Sequence, residues 1–282
     1  MFTVTTVPTA SGDAAIHPLT GFAVDVDGEC LASGELLNAS WIGDETGQVI
    51  TVRWEDGRAE AARAIVQAAV AAAKPGTELH LTANTEVHDW IPERIALFES
   101  LGFSLWQEKE GFWFTHHGQE LPPPDGVSVH TLAEVGRDAF IDVVAACTPG
   151  TLDRVDADAI ASMGAHRWAS ALFDDCLQPG DEQHWYVIAN ATADPVGFVA
   201  PGAFDEPDTG TIQHIGVVAG HRGHGYVDQL LRLANRTVRE CGWTGMLSDV
   251  DVVNAPMMAA MERNGHRADG RPWHKWYYRL VK

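Results

Sequence analysis

The chain has 282 residues, 45% of them hydrophobic, and a formal charge of −20. Such a length holds one large domain or two of ordinary size, and the apolar content is that of a globular protein. The acidic balance argues against nucleic acid, which needs a basic face, and no apolar run reaches the roughly 18 residues of a membrane helix.

The opening residues lack a basic segment ahead of an apolar core, so no secretion signal is expected. In chain order, Val49–Trp54 reads as a strand, Ala59–Ala73 as a strong helix built on alanines with Ile65, Val66 and Val70, and Glu78–Thr82 as another strand. His116–Gly126 contains three consecutive prolines and reads as a stiff linker. Beyond it, Val127–Thr131 reads as a strand, Ala133–Ala146 as a helix, Thr148–Val155 as a loop and Asp156–Leu177 as a longer helical stretch. His184–Ala189 and Val196–Ala200 read as a hairpin, and the β-branched run Thr211–Val217 as a buried strand. A turn at Arg222–Val227 leads into a helix from Asp228 to Val238, followed by a strand over Gly245–Val250. Asn254–Asn264 reads as a helix with Asn254 or Ala255 near its cap, Pro256 in its first turn and Gly265 just past its end. Trp273–Leu280 is aromatic and strand-like. Cys30, Cys147, Cys176 and Cys241 are scattered without metal-ligand spacing and read as reduced thiols of a cytoplasmic protein. His116 and His117 are adjacent, but no third ligand lies nearby, so no metal is expected.

The turn carries the chemistry. Gly223 and Gly225 sit where a strand passes into a helix, permit a tight turn, and let backbone N–H groups converge. The helix dipole and the Arg222 charge add positive potential, which makes an anion cradle suited to a pyrophosphate. The loop has no Walker lysine and lacks the third glycine of a dinucleotide fingerprint. The order strand, Arg-Gly-x-Gly turn, helix, strand, Asn, helix, Gly, strand resembles the GNAT family of acyl-CoA-dependent N-acyltransferases. The family's Gln/Arg-x-x-Gly-x-Gly/Ala pattern falls on Arg222, Gly225 and Val227, with valine in place of the final small residue. Its Asn falls on Asn254 and its Val-Gly-Phe/Tyr strand centre on Val196-Gly197-Phe198.

The resemblance covers about residues 127–282 and implies an α/β fold, an α+β mixed sheet, mostly antiparallel, flanked by helices. It implies acetyl-CoA as co-substrate, held by main-chain bonds from Val217 and Val218, by the turn Arg222, Gly223, His224, Gly225, Tyr226 and Val227, and by Asn254. In the family the central strand is splayed from its neighbour there, and the loop between the first two helices, here Thr148–Val155, covers the acceptor.

A weak repeat extends the expectation to the first half. Phe98-Glu-Ser-Leu-Gly102-Phe103 parallels Met261-Glu-Arg-Asn-Gly265-His266, and Trp113-Phe114 parallels Trp276-Tyr277 at the same spacing. The chain thus reads as two GNAT-like domains in tandem: a degenerate copy at 1–115, a linker at 116–126 and the acyltransferase domain at 127–282. In the first copy the turn reads Glu55-Asp56-Gly57-Arg58, whose two carboxylates repel phosphate, and Ala62 stands near the place of Gly225. Its role is read as structural: stabilising, dimerising or walling the acceptor site. It also shows little sequence for the two leading helices of a complete copy.

N-acyl transfer needs a neutral amine, a proton acceptor and a donor for the oxyanion. The family's leaving-group tyrosine falls on Met261, which cannot donate, leaving Tyr226, Tyr277 and Tyr278 as the nearby tyrosines. On the central strand Thr211 and Gln213 cannot act as bases, and period-2 alternation puts His214 on the other face. His214 and Asp249 are the catalytic candidates, with a water relay through Gln213 as the alternative. The expected reaction is acetylation of a small-molecule amine, drawn in by the acidic field if it is cationic, by direct attack on the thioester. A non-catalytic acyl-CoA-binding sensor or partner-binding protein, or an enzyme for a protein amine, are the other readings. A homodimer is compatible with all three.

Overall fold

The computed structural model describes residues 2–7, 16–39, 47–204, 208–268 and 273–281. By contacts the chain forms two compact units: Met1–Glu108 with His274–Lys282, and Lys109–Trp273. Each is a mixed, mostly antiparallel sheet with helices packed on it, the α/β architecture expected.

In the first unit β1 (Thr5–Val7), β2 (Ile16–Val26), β3 (Glu29–Ala39) and β4 (Gly47–Trp54) run antiparallel in sequence order. Asp27 and Gly28 turn the β2–β3 hairpin at φ 53° and 86°, an Asp-Gly turn that the sequence reading did not use. Helix α1 (Ala59–Ala72) follows, burying Ala61, Ala62, Ile65, Val66 and Ala69 on the sheet because these recur at helical spacing. Then come β5 (Glu78–Asn84), α2 (Ile91–Ser100) and β6 (Ser104–Thr115). β4 and β5 are parallel, and β5 pairs antiparallel with the C-terminal strand of the chain, Lys275 opposite Asn84 through Val281 opposite Glu78. No helix precedes β4 among the described residues, in keeping with the short first copy.

The second unit takes the 109–115 part of β6, then β7 (Ser128–Thr131), α3 (Leu132–Val135), α4 (Arg137–Cys147), α5 (Arg154–Met163) and α6 (Ala165–Cys176). It continues with β8 (Tyr186–Ala189), β9 (Pro195–Ala203), β10 (Thr209–Val217), α7 (Tyr226–Glu240), β11 (Gly245–Asp251) and α8 (Ala255–Arg263). The last strand, β12 (His274–Val281), belongs to the first unit. Strand order in the second unit is β6-β11-β10-β9-β8-β7. Its core joins Phe112 and Phe114 of β6 to Ile188, Val196, Val199, Leu230, Leu231, Ala234, Met246 and Met261. Residues 116–126 carry no helix or strand.

Two expected helices are each split in two. Gly136, at φ 80°, separates α3 from α4, and Gly164, at φ 87°, separates α5 from α6. An L side chain at either position would be strained, and the reversal there re-aims the following helix. The compact units also differ from the sequence ranges 1–115 and 127–282 by one strand each. The end of β6 lies in the second unit and β12 in the first.

Candidate functional site

β10 and β11 are parallel, and their pairing is confined to Thr209 with Gly245, Gly210 with Met246 and Thr211 with Leu247. Beyond Thr211 the strands diverge, and the Ile212 N–H is met by the Ser248 hydroxyl at 3.3 Å rather than by a ladder partner. On its other edge β10 stays paired with β9 down to Val217 opposite Gly197, with a register shift between Ile212 and His214. The bulge falls on Gln213. It breaks the strand's period of two, so the alternation that put His214 on the opposite face does not hold across it.

The divergence opens a cleft of about 670 Å³. Its wall is Ile215, Gly216 and Val217, its rim the turn into α7, and its far side Asn254, Pro256, Met257 and Arg263. Cys147 at the end of α4, with Thr151 and Leu152 of the α4–α5 loop, closes it. Val217 lines the cleft. Val218 does not: its N–H bonds Val196 O at 2.9 Å and its carbonyl takes the His221 N–H at 2.8 Å.

The turn is built as its glycines require. Gly223 and Gly225 have φ of 81° and 79°, and a Cβ at either would meet no heavy atom within 4 Å, so the space above them is clear for a ligand. Gly225 is the N-cap of α7 and offers no side chain to cap it. The backbone N–H groups from Gly223 to Val227 carry no hydrogen bond to any described residue. A row of open donors at the start of a 15-residue helix suits a pyrophosphate. Tyr226 and Val227 line the cleft, whereas His224 is exposed and turns its Nδ1 toward the Arg222 carbonyl at 3.0 Å. Asp228 also lines it, and its charge is offset by Arg263 at 3.2 Å and by the Asn264 amide at 2.6 Å. Arg263 was not singled out from sequence. Its place 35 residues from Asp228 depends on how α7 and α8 pack.

Arg222 departs from expectation. Its guanidinium, expected to face phosphate, donates to three backbone carbonyls: Nε to Val217 at 3.2 Å, Nη1 to Gly150 at 3.1 Å and Nη2 to Cys147 at 2.7 Å. Asn254 caps α8 by accepting the Met257 N–H at 3.3 Å while also lining the cleft. Met261 is 2% exposed, packs in the core and does not line the cleft. Tyr277 and Tyr278 belong to the first unit, where the buried Tyr278 donates to Glu99 at 3.2 Å.

The cleft lining stops at Leu152 and Ile215, and the next residue on each segment, Asp153 and His214, belongs to a polar cluster. Lys109 of β6 lies 3.2 Å from Asp249 of β11 and 3.3 Å from Asp153. Asp153 caps α5 by accepting the Asp156 N–H at 3.1 Å. Burial pushes the Asp156 carboxyl above the usual carboxylate range, the Asp153 charge pushes it further, and Lys109 opposes both. Burial lowers His214 to about 4, with Asp153 and Asp249 opposing and Lys109 reinforcing. Its ring also meets the edge of Trp168, centroids 5.7 Å apart. The two sequence candidates thus share one electrostatic environment. Lys109, Asp153 and Asp156 were missed. Asp153 and Asp156 have the local spacing of a helix cap, and Lys109 is separated from Asp249 by 140 residues. Among the described residues no group of His, Cys, Asp and Glu is arranged to hold a metal ion.

A mixed sheet whose central strands part beside an open strand-to-helix turn is the architecture expected from the sequence resemblance. Residues 154–266, which lie in the second unit, match the model of the acetyltransferase (GNAT) family. In fold the chain is similar to a GCN5-related N-acetyltransferase from Sphaerobacter thermophilus, at 16% identity over 93% of this chain and 80% of that one, TM-score 0.62. It is also similar to a tandem GNAT protein from the clavulanic acid biosynthesis pathway, at 14% identity over 95% and 84% of the two chains, TM-score 0.56. A GNAT-family acetyltransferase from Colwellia psychrerythraea matches over 100% of both chains at 12% identity, TM-score 0.55. No curated protein matches the chain in sequence.

Proposed function

We propose that the chain is an acetyl-CoA-dependent N-acetyltransferase for the amine of a small molecule. The observation that carries this is the cleft at the parting of β10 and β11, with open N–H donors at the Gly223–Gly225 turn. Bound there, acetyl-CoA supplies an activated acetyl thioester. The turn and the α7 dipole hold the diphosphate, and Val217 and Asn254 border the path of the pantetheine arm. Gly216 and Ile215, further along the same wall, would flank the thioester. The cluster of Lys109, Asp153, Asp156, Asp249 and His214 lies one residue beyond and handles the amine's proton. His214 is neutral at pH 7 and accepts a proton poorly, and Lys109 holds Asp249 in an ion pair. These two facts favour a relay through water and the cluster over a single base. With Asp156 held mostly protonated by burial, Asp153 and Asp249 still outnumber Lys109, which suits a cationic amine.

A second reading, an acyl-CoA-binding protein without catalysis, draws on the core position of Met261, where the family's proton donor stands. An enzyme for a protein amine is the third. No helix among the described residues is long and apolar enough to cross a membrane, and a cytoplasmic location is part of the proposal. Calorimetry with acetyl-CoA, followed by a panel of amines scored for CoA release, tests these readings together. One binding site per chain with turnover on small amines is the expected result. Tight binding with no turnover on any amine supports the second reading, and absence of binding overturns all three.

For proton handling, kcat/KM is expected to rise with pH and to lack an inflection near 6.5, with His214→Ala and Asp249→Ala each costing less than about tenfold. An inflection near 6.5 that disappears in His214→Ala, or a loss of about 10² in either variant, identifies a dedicated base instead.

A further inference from the structure

We propose that Arg222 is a positioning residue that ties the cofactor turn to the α4–α5 loop, so that filling the cleft orders the loop that borders the acceptor. The inference deepens the acyltransferase reading and rests on it for the word acceptor. Its geometry stands independently.

Three of the five guanidinium N–H groups are spent on main-chain carbonyls of two separate segments. Val217 is the last residue of β10, while Cys147 ends α4 and Gly150 lies in the loop. A carbonyl at a helix end has no partner within the helix, so Nη2 on Cys147 acts as the cap for α4. The loop is shaped to this contact. Gly150 has φ +67°, and a Cβ there would stand 3.3 Å from Nη1. Thr151 and Leu152 follow at once in the cleft lining, and Asp153 follows them into the cluster with Lys109. One side chain therefore links the start of the anion turn, the end of the splayed strand and the loop between cleft and cluster. A planar fork with fixed N–H directions meets three carbonyls at once, which an ammonium cannot reproduce. The phosphate contacts then fall to the open backbone donors of 223–227, and the two remaining guanidinium N–H groups add only charge.

Amide hydrogen exchange over 148–153 tests this, measured on the whole chain for wild type, Arg222→Lys and Arg222→Gln, without ligand and with acetyl-CoA. Both variants are expected to speed exchange in the loop by about tenfold or more without ligand, because both lose the three-carbonyl geometry. Acetyl-CoA is expected to slow exchange of the wild-type loop more than that of either variant. By calorimetry, acetyl-CoA affinity in Arg222→Lys is expected to stay within about tenfold of wild type, since the charge is kept. Gly150→Ala disturbs the contact from the loop side and is expected to loosen the same amides without touching the turn. Wild-type exchange rates in the ligand-free loop of Arg222→Lys overturn the proposal. So does an Arg222→Gln variant that loses affinity about 100-fold with an unaltered loop, which makes Arg222 a phosphate ligand. If wild type binds no acetyl-CoA, the acyltransferase reading fails, and the ligand-free exchange difference still decides the role of Arg222.

Discussion

Each unit contains a parallel strand pair that parts after three residues, and the two partings are filled differently. In the first unit β4 and β5 pair only at Gly47–Glu78, Gln48–Leu79 and Val49–His80. Beyond that point Arg94 of α2, 4% exposed, donates to Val52 O at 3.0 Å and to Asp89 O at 3.1 Å, and its guanidinium lies 4.0 Å from the Trp54 ring centroid. In the second unit the residue at the same spacing as Gly265 from Gly102 is Met257, and it lines an open cleft. The strand-to-helix turn differs as well: Glu55–Arg58 in the first unit, Val218–Gly225 in the second. Ala62, which the repeat spacing set beside Gly225, is buried inside α1 because this turn is shorter. One topology thus gives two outcomes. In the first unit a protein cation meets the freed strand carbonyl, and in the second an apolar thioether stands instead and lines a cleft.

The largest effect tests whether the first unit exists without the second half of the chain. Its sheet places β12 between β5 and β6, and a fragment of residues 1–115 lacks that strand. The fragment is expected to aggregate or give no cooperative melt by circular dichroism, and a sharp unfolding transition would count against this account. Next is Gly225→Glu, which places a carboxylate and a strained φ in the turn. Acetyl-CoA affinity is expected to fall by about 100-fold or more by calorimetry, and a first unit able to bind would leave a residual site of ordinary affinity. Arg94→Ala strips the partner from the buried Val52 carbonyl and a second one from Asp89, and is expected to cost about 2–3 kcal/mol in urea unfolding. The acetyl-CoA stoichiometry is expected to stay at one, and a second site appearing in Arg94→Ala would show that Arg94 was the only barrier.

The remaining effects are those of pH. His214 is lowered to about 4 and His88 to about 4, both chiefly by burial. Their folded forms resist protonation that the unfolded chain accepts, so stability falls as pH drops from about 6.5 toward 4, in both units. Asp156 behaves oppositely. Its raised folded pKa adds stability at low pH that is lost as pH rises through it, so Asp156→Asn is expected to raise Tm more at pH 8.5 than at pH 5. An equal shift at both pH values would place Asp156 in an ordinary solvated setting.

The sequence by itself determined the features that depend on a few neighbouring residues. Strand and helix periods located β4, α1, β5, β10, α7 and β11, the αL requirement marked Gly223, Gly225 and Gly265, and a cap preference marked Asn254. The first hairpin was legible only through Asp27-Gly28, since β2 and β3 lack a clean alternation of apolar and polar residues. Tertiary structure decided the rest. Which strands stand side by side brings Lys109 to Asp249 and gives each unit the other copy's last strand. The bulge at Gln213 decides the surroundings of His214, and the packing of one loop decides that Arg222 meets carbonyls. Local pattern reports the backbone's own preferences over a turn or a strand. The partners of a long side chain are set by which elements the sheet order brings together, and no spacing along the chain encodes that.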